Sequence, residues 1–440
     1  MNDIGVIICN YNKEEYVINC IRSVMKSSIS NFDVYVVDNA STDNSVERIK
    51  EEFGKEVTLI VNKDNLGGSG GFNTGLREAL KHDYKYIMLL DNDIEMDKYS
   101  IEELYKFMDS HDEVGMVGSK VYFMDYPERI WGYGGNINFK SYRQEDNFKN
   151  CTDSESIPEV LYCDYVAACS LMARADAIRK VGLMPEDNFI YWDDMEWGYR
   201  FNQAGYKVAV WGKSKVWHKA GGRNAGNTFI NYYMWRNRIL FFLKVLPIEK
   251  RDHFSEMILS DMFQLIYSCN LKSETNIVKS VMFAFDDAIH KVSGKAADYK
   301  ILPRNGQYDR MEKAIGSAKN VLIKFSGDFE GLGNIIRKVG KIGSVSKITI
   351  STIDIKDLTQ QVRAQFPSCE VMETYEPFNY DFNMEMCSHI FNADLNANTE
   401  VYVDPWCNII NGKEEHAYCE NYENTKKIFT LLFKELMLVK

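Results

Sequence analysis

Tyr86-Ile87-Met88-Leu89-Leu90-Asp91-Asn92-Asp93 decides how this chain is read. An unbroken apolar run that ends in an acidic triplet describes a strand buried on both faces, with two carboxylates at its end. In an α/β sheet, ligands bind beyond the carboxyl ends of the strands, so Asp91 and Asp93 stand where a ligand arrives. Paired carboxylates there suit a hard divalent cation, Mn²⁺ or Mg²⁺, and such a cation commonly brings a diphosphate. Asp-rich turns after strands are frequent, so the triplet draws its weight from its company.

That company begins upstream. Gly5 to Cys9, Phe32 to Val37 and Val57 to Val61 read as strands, and Glu14 to Lys26, Ser45 to Phe53 and Gly75 to Lys81 have helical spacing. Alternation of this kind implies parallel pairing with right-handed crossovers. Asn10-Tyr11-Asn12, Asp38 and the Asp91/Asp93 pair then collect on one edge of the sheet. Asn65-Leu66-Gly67-Gly68-Ser69-Gly70-Gly71-Phe72 reads as a turn ahead of a helix, with backbone amides free to face an anion. Its spacing fits neither the dinucleotide fingerprint nor the P-loop.

Further along, Trp192-Asp193-Asp194-Met195-Glu196-Trp197 sets acids between tryptophans. One reading is a general base with a raised pKa beside apolar faces on which sugar rings stack; the other is a helix N-terminus that favours acids. Trp217-His218 follows the apolar run Val208 to Trp211, so His218 also falls at a strand end and would complete a cation's ligand set. A histidine beside tryptophan is, on its own, more often packed than ligating. From Thr228 onward, Phe229, Tyr233, Leu240 and Leu243 interleave with Arg236, Arg238 and Lys244. This aromatic, basic helix either touches a membrane surface or docks on a neighbouring domain.

The 440 residues are expected to divide into an α/β domain over 1–225, a helical region over 226–315 and a second small α/β domain over 316–440 that carries no assignable motif. A net charge of -11 argues against nucleic acid as the main partner. Ten scattered cysteines without a C-x-x-C pair point to reduced thiols. No basic leader precedes Val6 and no uncharged stretch has spanning length, so a cytoplasmic protein is expected.

Cys9 to Asn12, Val37 to Asp43, Asn65 to Gly68, Leu89 to Asp93, Trp192 to Glu196 and Trp217-His218 occur in the order found in family 2 inverting glycosyltransferases of the GT-A fold. Over residues 4–245 the chain resembles that family. The glycine run and Trp192-Asp193-Asp194 look most like galactofuranosyltransferases, with rhamnosyltransferases next. Tyr232 to Asn237 resembles the helix that follows the catalytic domain in those bacterial enzymes.

The resemblance implies a mixed, mostly parallel sheet with flanking helices, followed by a helical segment and a second small α/β domain. It implies transfer of galactofuranose or rhamnose from a UDP- or dTDP-linked donor to a hydroxyl of a growing, lipid-linked surface glycan. Asn10, Tyr11, Asn12 and Asp38 would line the nucleoside pocket. Asn65, Gly68, Gly71, Asp91 and Asn92 would meet the donor sugar and diphosphate. Asp91, Asp93 and His218 would hold Mn²⁺ or Mg²⁺, and Asp194 would be the base. Trp131, Trp192, Asp193, Glu196 and Trp197 would contact the acceptor. The extended N-terminal portion of the galactan polymerases has no counterpart, which favours a single-linkage transferase. Peripheral contact with the inner face of the plasma membrane and a homo-oligomer are compatible with this reading. The rivals are a sugar nucleotidyltransferase, which needs a more basic phosphate-gripping loop, and a carbohydrate-binding or scaffold protein, which needs no acidic triplet.

Overall fold

The computed structural model describes residues 2–219, 226–271, 274–304, 310–325, 329–352, 355–372, 380–388, 401–411 and 416–438. Strands and helices alternate from the start: β1 (Ile4–Asn10), α1 (Glu14–Met25), β2 (Phe32–Asp38), α2 (Ser45–Phe53), β3 (Val57–Val61), α3 (Gly67–Ala79) and β4 (Tyr86–Asp91). Less regular structure follows, with β5 (Ile94–Met96), α4 (Ser100–Ser110), β6 (Val114–Phe123), β7 (Ile130–Gly132), and a separate hairpin of β8 (Gly135–Asn138) and β9 (Arg143–Asp146). Then come β10 (Val160–Cys163), β11 (Ser170–Arg174), α5 (Ala175–Val181), α6 (Asp193–Gln203) and β12 (Lys207–His218).

The main sheet runs β10-β12-β6-β11-β4-β1-β2-β3, with β5 paired to β12 and β7 to β6. Pairing is parallel from β4 through β3 and between β12 and β6, and antiparallel elsewhere, so the sheet is mixed. Pleating explains why β1 and β4 read as unbroken apolar runs. Val6, Ile8, Met88 and Leu90 point to one face, where Ile21 and Val24 of α1 cover them. Ile7, Ile87 and Leu89 point to the other, beneath Leu76 and Ala79 of α3.

The glycine run is not a turn ahead of a helix. It forms the first turns of α3 itself. The reason is packing: α3 lies so close to the sheet that a Cβ at Gly71 would stand 2.4 Å from the Cys9 sulfur, and one at Gly75 would stand 2.4 Å from a methyl of Ile7. Glycine is tolerated in this helix because nothing larger fits beneath it.

Next come α7 (Phe229–Val245), α8 (Arg251–Leu271) and α9 (Thr275–Ile289). The chain divides into two compact units, Met1–Met257 with Ser280–Leu302, and Ile258–Lys279 with Pro303–Val439. The expected boundary at residue 225 lies outside the described residues. Within the first unit α7 is packed, not exposed: Tyr232, Tyr233, Arg236, Asn237, Ile239, Phe241 and Phe242 are buried. It therefore has no broad free face to offer a membrane, and the docking reading of this helix holds.

The second unit contains α10 (Arg310–Ile315), β13 (Asn320–Lys324), α11 (Phe329–Val339), β14 (Lys347–Ser351), α12 (Ile355–Gln365), β15 (Glu370–Met372), β16 (Phe382–Met386), β17 (Val401–Val403), β18 (Ile409–Asn411) and α13 (His416–Leu438). Its sheet runs β15-β14-β13-β16-β17-β18, parallel up to the last pair, around Val321, Ile323, Leu332, Ile336 and Ile350.

Gly75→Ala tests the packing of α3. A helical alanine gains about 1 kcal/mol over glycine, but overpacking beneath a stiff, buried β-branched neighbour costs about 1–3 kcal/mol. The variant is expected to melt a few degrees below the parent in a thermal unfolding scan.

Candidate active site

Register gathers the expected residues on one edge. Asn10 pairs with Asp38 across β1 and β2, and Cys9 pairs with Asp91 across β1 and β4. The connections diverge at β1, whose neighbours are β2 and β4, and such a switch point leaves a crevice for ligands. A cavity of about 650 Å³ opens there. Tyr11, Lys13, Asn65, Gly68 and the Asp91-Asn92-Asp93 triplet line one side, and Ile190, Tyr191, Phe229 and Tyr233 line the other.

Asn10, Asn12, Asp38 and Gly71 frame this cavity and do not line it. Asp38 is fully buried; its carboxylate accepts hydrogen bonds from Asn10 Nδ2 and from the Ser41 backbone N–H, both at 2.9 Å. Asn10 Oδ1 in turn accepts from Asn92 Nδ2 at 2.7 Å, so one polar chain ties together three strand ends. Asn12 takes a left-handed backbone (φ 50°) and accepts from the Thr42 N–H at 2.7 Å. Gly71 faces Cys9. Asn39, to which sequence reading gave no role, organises the donor-side loop. Its Nδ2 donates to Asn65 Oδ1 (3.1 Å) and to the Gly67 carbonyl (2.8 Å), and its Oδ1 accepts from the Leu66 N–H (3.1 Å). An asparagine directly after a strand-end aspartate was the available signal.

The three expected metal ligands meet. β5 pairs antiparallel with the end of β12, setting Ile94 opposite His218. His218 Nε2 thereby comes to 3.1 Å from Asp93 Oδ1. One ligand atom each from Asp91, Asp93 and His218 lies within 4.8 Å of the others. Lys13 forms an ion pair with the second oxygen of Asp93. Burial alone would raise the Asp93 carboxyl, but the hydrogen bond and charge of His218, with the Lys13 ammonium, outweigh it and hold the group well below the usual carboxylate range. The buried His218 ring packs edge-on against Trp131, centroids 4.5 Å apart, and its Nδ1 has no hydrogen-bond partner among the described residues. Two carboxylates and an imidazole suit Mn²⁺ better than Mg²⁺, which prefers an oxygen shell.

The opposite wall is a strap, residues 188–192, that leads into α6. Phe189, Tyr191 and Trp192 all take left-handed backbone, with φ of 65°, 63° and 63°. For bulky residues that conformation costs roughly 1–2 kcal/mol each. The strap is held from behind by α7. Asn237 Nδ2 donates to the carbonyls of Asn188 (2.8 Å), Ile190 (2.8 Å) and Tyr191 (2.9 Å). Arg236 donates from Nη2 to the Asn188 carbonyl (3.1 Å) and from Nε to Asn237 Oδ1 (2.9 Å). Its guanidinium lies over the rings of Tyr232 and Tyr233. On the other side the Phe189 carbonyl presses on Gly67, where φ is +77° and a Cβ would stand 2.0 Å from that oxygen. The Tyr232–Asn237 motif is therefore a clamp.

The strap delivers Asp193 and Asp194 to the first turn of α6. Asp193 faces the donor loop, with Oδ2 3.8 Å from where a Gly68 Cβ would stand. Asp194 is half-buried and accepts hydrogen bonds from the backbone of Met195 and Ala168. Burial pushes its carboxyl up to about 8; the charges of Asp193 and, further off, Asp146 add to this, against those two N–H donors.

Three acceptor expectations are corrected by burial. Trp192 and Trp197 are fully enclosed: Trp192 packs on Phe241 and Phe242, and Trp197 donates to the Gly182 carbonyl at 2.9 Å. Their faces are closed to any sugar. Glu196 is also buried and ion-paired with Arg200 and Lys244, which ties α6 to α7. Trp131 is occupied by His218 and does not line the cavity.

Residues 5–169 match the model described as "Glycosyl transferase family 2". Over these residues the chain is similar to family 2 glycosyltransferases. Asp91 and Asp93 fall inside the matched stretch; Asp194, His218 and α7 fall beyond it. An "Uncharacterized glycosyltransferase" of Haemophilus influenzae is 23% identical over 310 residues, 64% of this chain and 92% of that protein. The "Galactofuranosyltransferase GlfT2" of Mycobacterium tuberculosis is 24% identical over 200 residues, 41% of this chain and 31% of that one. The crystal structure of S. aureus TarS 1-349 in complex with UDP-GlcNAc aligns with a TM-score of 0.44 at 18% identity, covering 66% of this chain and 82% of that one.

Two predictions follow from the strap and its acids. Because the folded pKa of Asp194 is raised, its carboxylate is disfavoured in the native state, and stability falls as pH climbs from about 4, the unfolded value, towards 8. Asp194→Asn removes that penalty: its Tm should exceed the parent's at pH 8 by a few degrees, at roughly 2–4 °C per kcal/mol, and the gap should close near pH 4. Asn237→Ala removes the amide that gathers the strap carbonyls and leaves Arg236 alone to hold it from α7, through Asn188. Transfer, measured at a temperature where the variant is folded, should drop by about 10²-fold, the scale of an ångström-sized misplacement.

Proposed function

We propose that this chain is a metal-dependent, inverting glycosyltransferase that moves a sugar from a UDP- or dTDP-linked donor to a hydroxyl of a growing, lipid-linked surface glycan. Galactofuranose is the first donor to test, on the name of the mycobacterial relative, and rhamnose the second. The observation that carries this reading is the cluster of Asp91, Asp93 and His218, whose two carboxylates line the cavity, with the Asp193–Asp194 turn delivered by the facing strap. In this reading residues 1–225 carry the chemistry and the α7 clamp completes it.

Mn²⁺ or Mg²⁺ held by Asp91, Asp93 and His218 would neutralise charge on the donor's diphosphate. Lys13, beside Asp93 and on the cavity wall, adds a positive charge from the chain itself. Asn65 and Gly68 present the donor-side loop to the sugar. Asp194 takes the proton of the acceptor hydroxyl as that oxygen forms a bond to the anomeric carbon. The bond to the nucleotide breaks on the opposite face and the diphosphate leaves with the electron pair, so the configuration inverts. A base with a pKa near 8 is matched to a hydroxyl attacking at neutral to mildly alkaline pH.

The test is a thermal-shift panel of UDP, dTDP and GDP with and without Mn²⁺, followed by transfer assays with the matching nucleotide sugars. One of UDP and dTDP should stabilise the protein only with Mn²⁺, and Asp93→Ala and His218→Ala should abolish that shift. Asp194→Asn should keep the shift and lose transfer by about 10³-fold or more, while in the parent the rate rises with pH up to about 8. Full transfer by Asp194→Asn, or pyrophosphate release from a nucleoside triphosphate, would overturn the reading.

A further inference from the structure

One more stretch of the cavity lining comes from the segment that returns after α9. Ala296 and Ile301 join the aromatic cluster of Phe189, Phe229 and Tyr233, and Lys295 and Asp298 line the same cavity as the acidic triplet. All of these residues belong to the first unit. Lys13 and Lys295 are the only cations among the described residues that line the cavity. Their situations differ. Lys13 is ion-paired with Asp93. Lys295 is exposed, and its side chain has no hydrogen bond or ion pair among the described residues, Asp298 included.

An exposed lysine by itself says nothing about a ligand. Here the backbone that carries it is fixed on both sides. Just before it, Gly294 takes a left-handed φ of 78°; its N–H donates to the Asp187 carbonyl at 2.6 Å, and its own carbonyl accepts from Arg236 Nη1 at 2.7 Å. Just after it, the Ala296 N–H donates to the Tyr233 hydroxyl at 2.8 Å. Further on, Lys300 Nζ meets both oxygens of the buried Asp287 at 2.6 and 2.7 Å, and the Leu302 N–H donates to Thr228 Oγ1 at 2.9 Å. Lys295 thus hangs from a fixed main chain, and only its side chain has to be ordered when an anion arrives.

Charge indicates which anion. A divalent cation held by Asp91, Asp93 and His218 would cancel the two carboxylates, while Asp298 adds a further negative charge to the lining. The donor's diphosphate then meets one lysine that is already drawn to Asp93. Its charge grows when the anomeric bond breaks and the electron pair leaves with the nucleotide, and a cation placed where charge develops lowers that barrier. The diphosphate is the one anion that the proposed reaction requires in this cavity. We infer that Lys295 pairs with the donor's diphosphate and stabilises it as the leaving group, so that the segment after α9 belongs to the transfer site. This rests on the reading of the cavity as a sugar-nucleotide site.

The experiment is titration calorimetry of the full chain with UDP and with dTDP in the presence of Mn²⁺. It compares the parent, Lys295→Gln, Lys295→Arg and, as a control for net charge, Lys291→Gln; Lys291 is exposed and does not line the cavity. For the nucleotide that binds the parent, Lys295→Gln should weaken binding by about tenfold or more, the scale of a lost hydrogen bond to a charged group, and should flatten its salt dependence. Lys295→Arg should restore most of the affinity, and Lys291→Gln should match the parent. The corresponding nucleoside, measured by competition, should bind all four proteins alike, which a merely structural role for Lys295 does not predict. With the matching nucleotide sugar, kcat of Lys295→Gln should also fall by about tenfold or more. Equal diphosphate affinity and salt dependence in the parent and Lys295→Gln would overturn the inference. So would a loss confined to the KM of the acceptor, which would give the ammonium to the acceptor instead. A parent that binds neither diphosphate would refute the sugar-nucleotide reading itself, and this inference with it.

Discussion

A buried carboxylate needs a counter-charge, and the arrangement around Asp93 follows from that need. Two segments answer it. Lys13 arrives at the start of α1, immediately after the first strand, and His218 arrives at the end of β12. The second arrival is fixed from two sides, by β5, three residues long and antiparallel to the end of β12, and by β6, whose Phe123 pairs with His218. The clustering of Asp91, Asp93 and His218 is thus a by-product of satisfying hydrogen bonds at the edge of a sheet, and this is why its members can come from segments far apart in the chain.

The second support is mechanical. Three consecutive turns of backbone logic meet at the strap: left-handed residues that resist their own conformation, a glycine that lets the strap's carbonyl approach α3, and an asparagine amide that gathers its remaining carbonyls. Strain of this kind persists only when the surroundings over-determine it. Here they do so from both sides, and the result is one turn that sets Asp193 towards the donor loop and Asp194 within reach of the Ala168 backbone N–H.

Much of this was legible in the residues themselves. An apolar run ending in acids announced β4, and strand–helix alternation put Asn10, Asp38 and Asp91 on one edge, because parallel register leaves little freedom once the core is buried. What could not be read was which of two physically sound uses a residue would have. Trp192 and Trp197 have sugar-stacking faces in sequence and core faces in space; Phe241 and Phe242 of α7 decide the first, and Phe201 with the Gly182 carbonyl the second. The glycine run suits a loop or a tightly packed helix equally well; the closeness of Ile7 and Cys9 settles it. Glu196 reads as a third site acid until Arg200 and Lys244 are seen to claim it. Apart from Phe201 and Arg200, one turn along α6, the deciding partners lie on elements distant in sequence, which periodicity does not encode.

The chain leaves the first unit after Met257, contributes Ile258–Lys279 to the second, and returns for Ser280–Leu302 before leaving again. The returning segment supplies the Gly294 carbonyl that receives Arg236 and the Ala296 N–H that donates to the Tyr233 hydroxyl. During synthesis, then, the clamp behind the strap cannot be completed until residue 302 has left the ribosome, long after both acids have emerged. A fragment cut at the end of the family-matched stretch, or at any single point before that return, would contain the acidic triplet but lack the scaffold that gives it a facing wall.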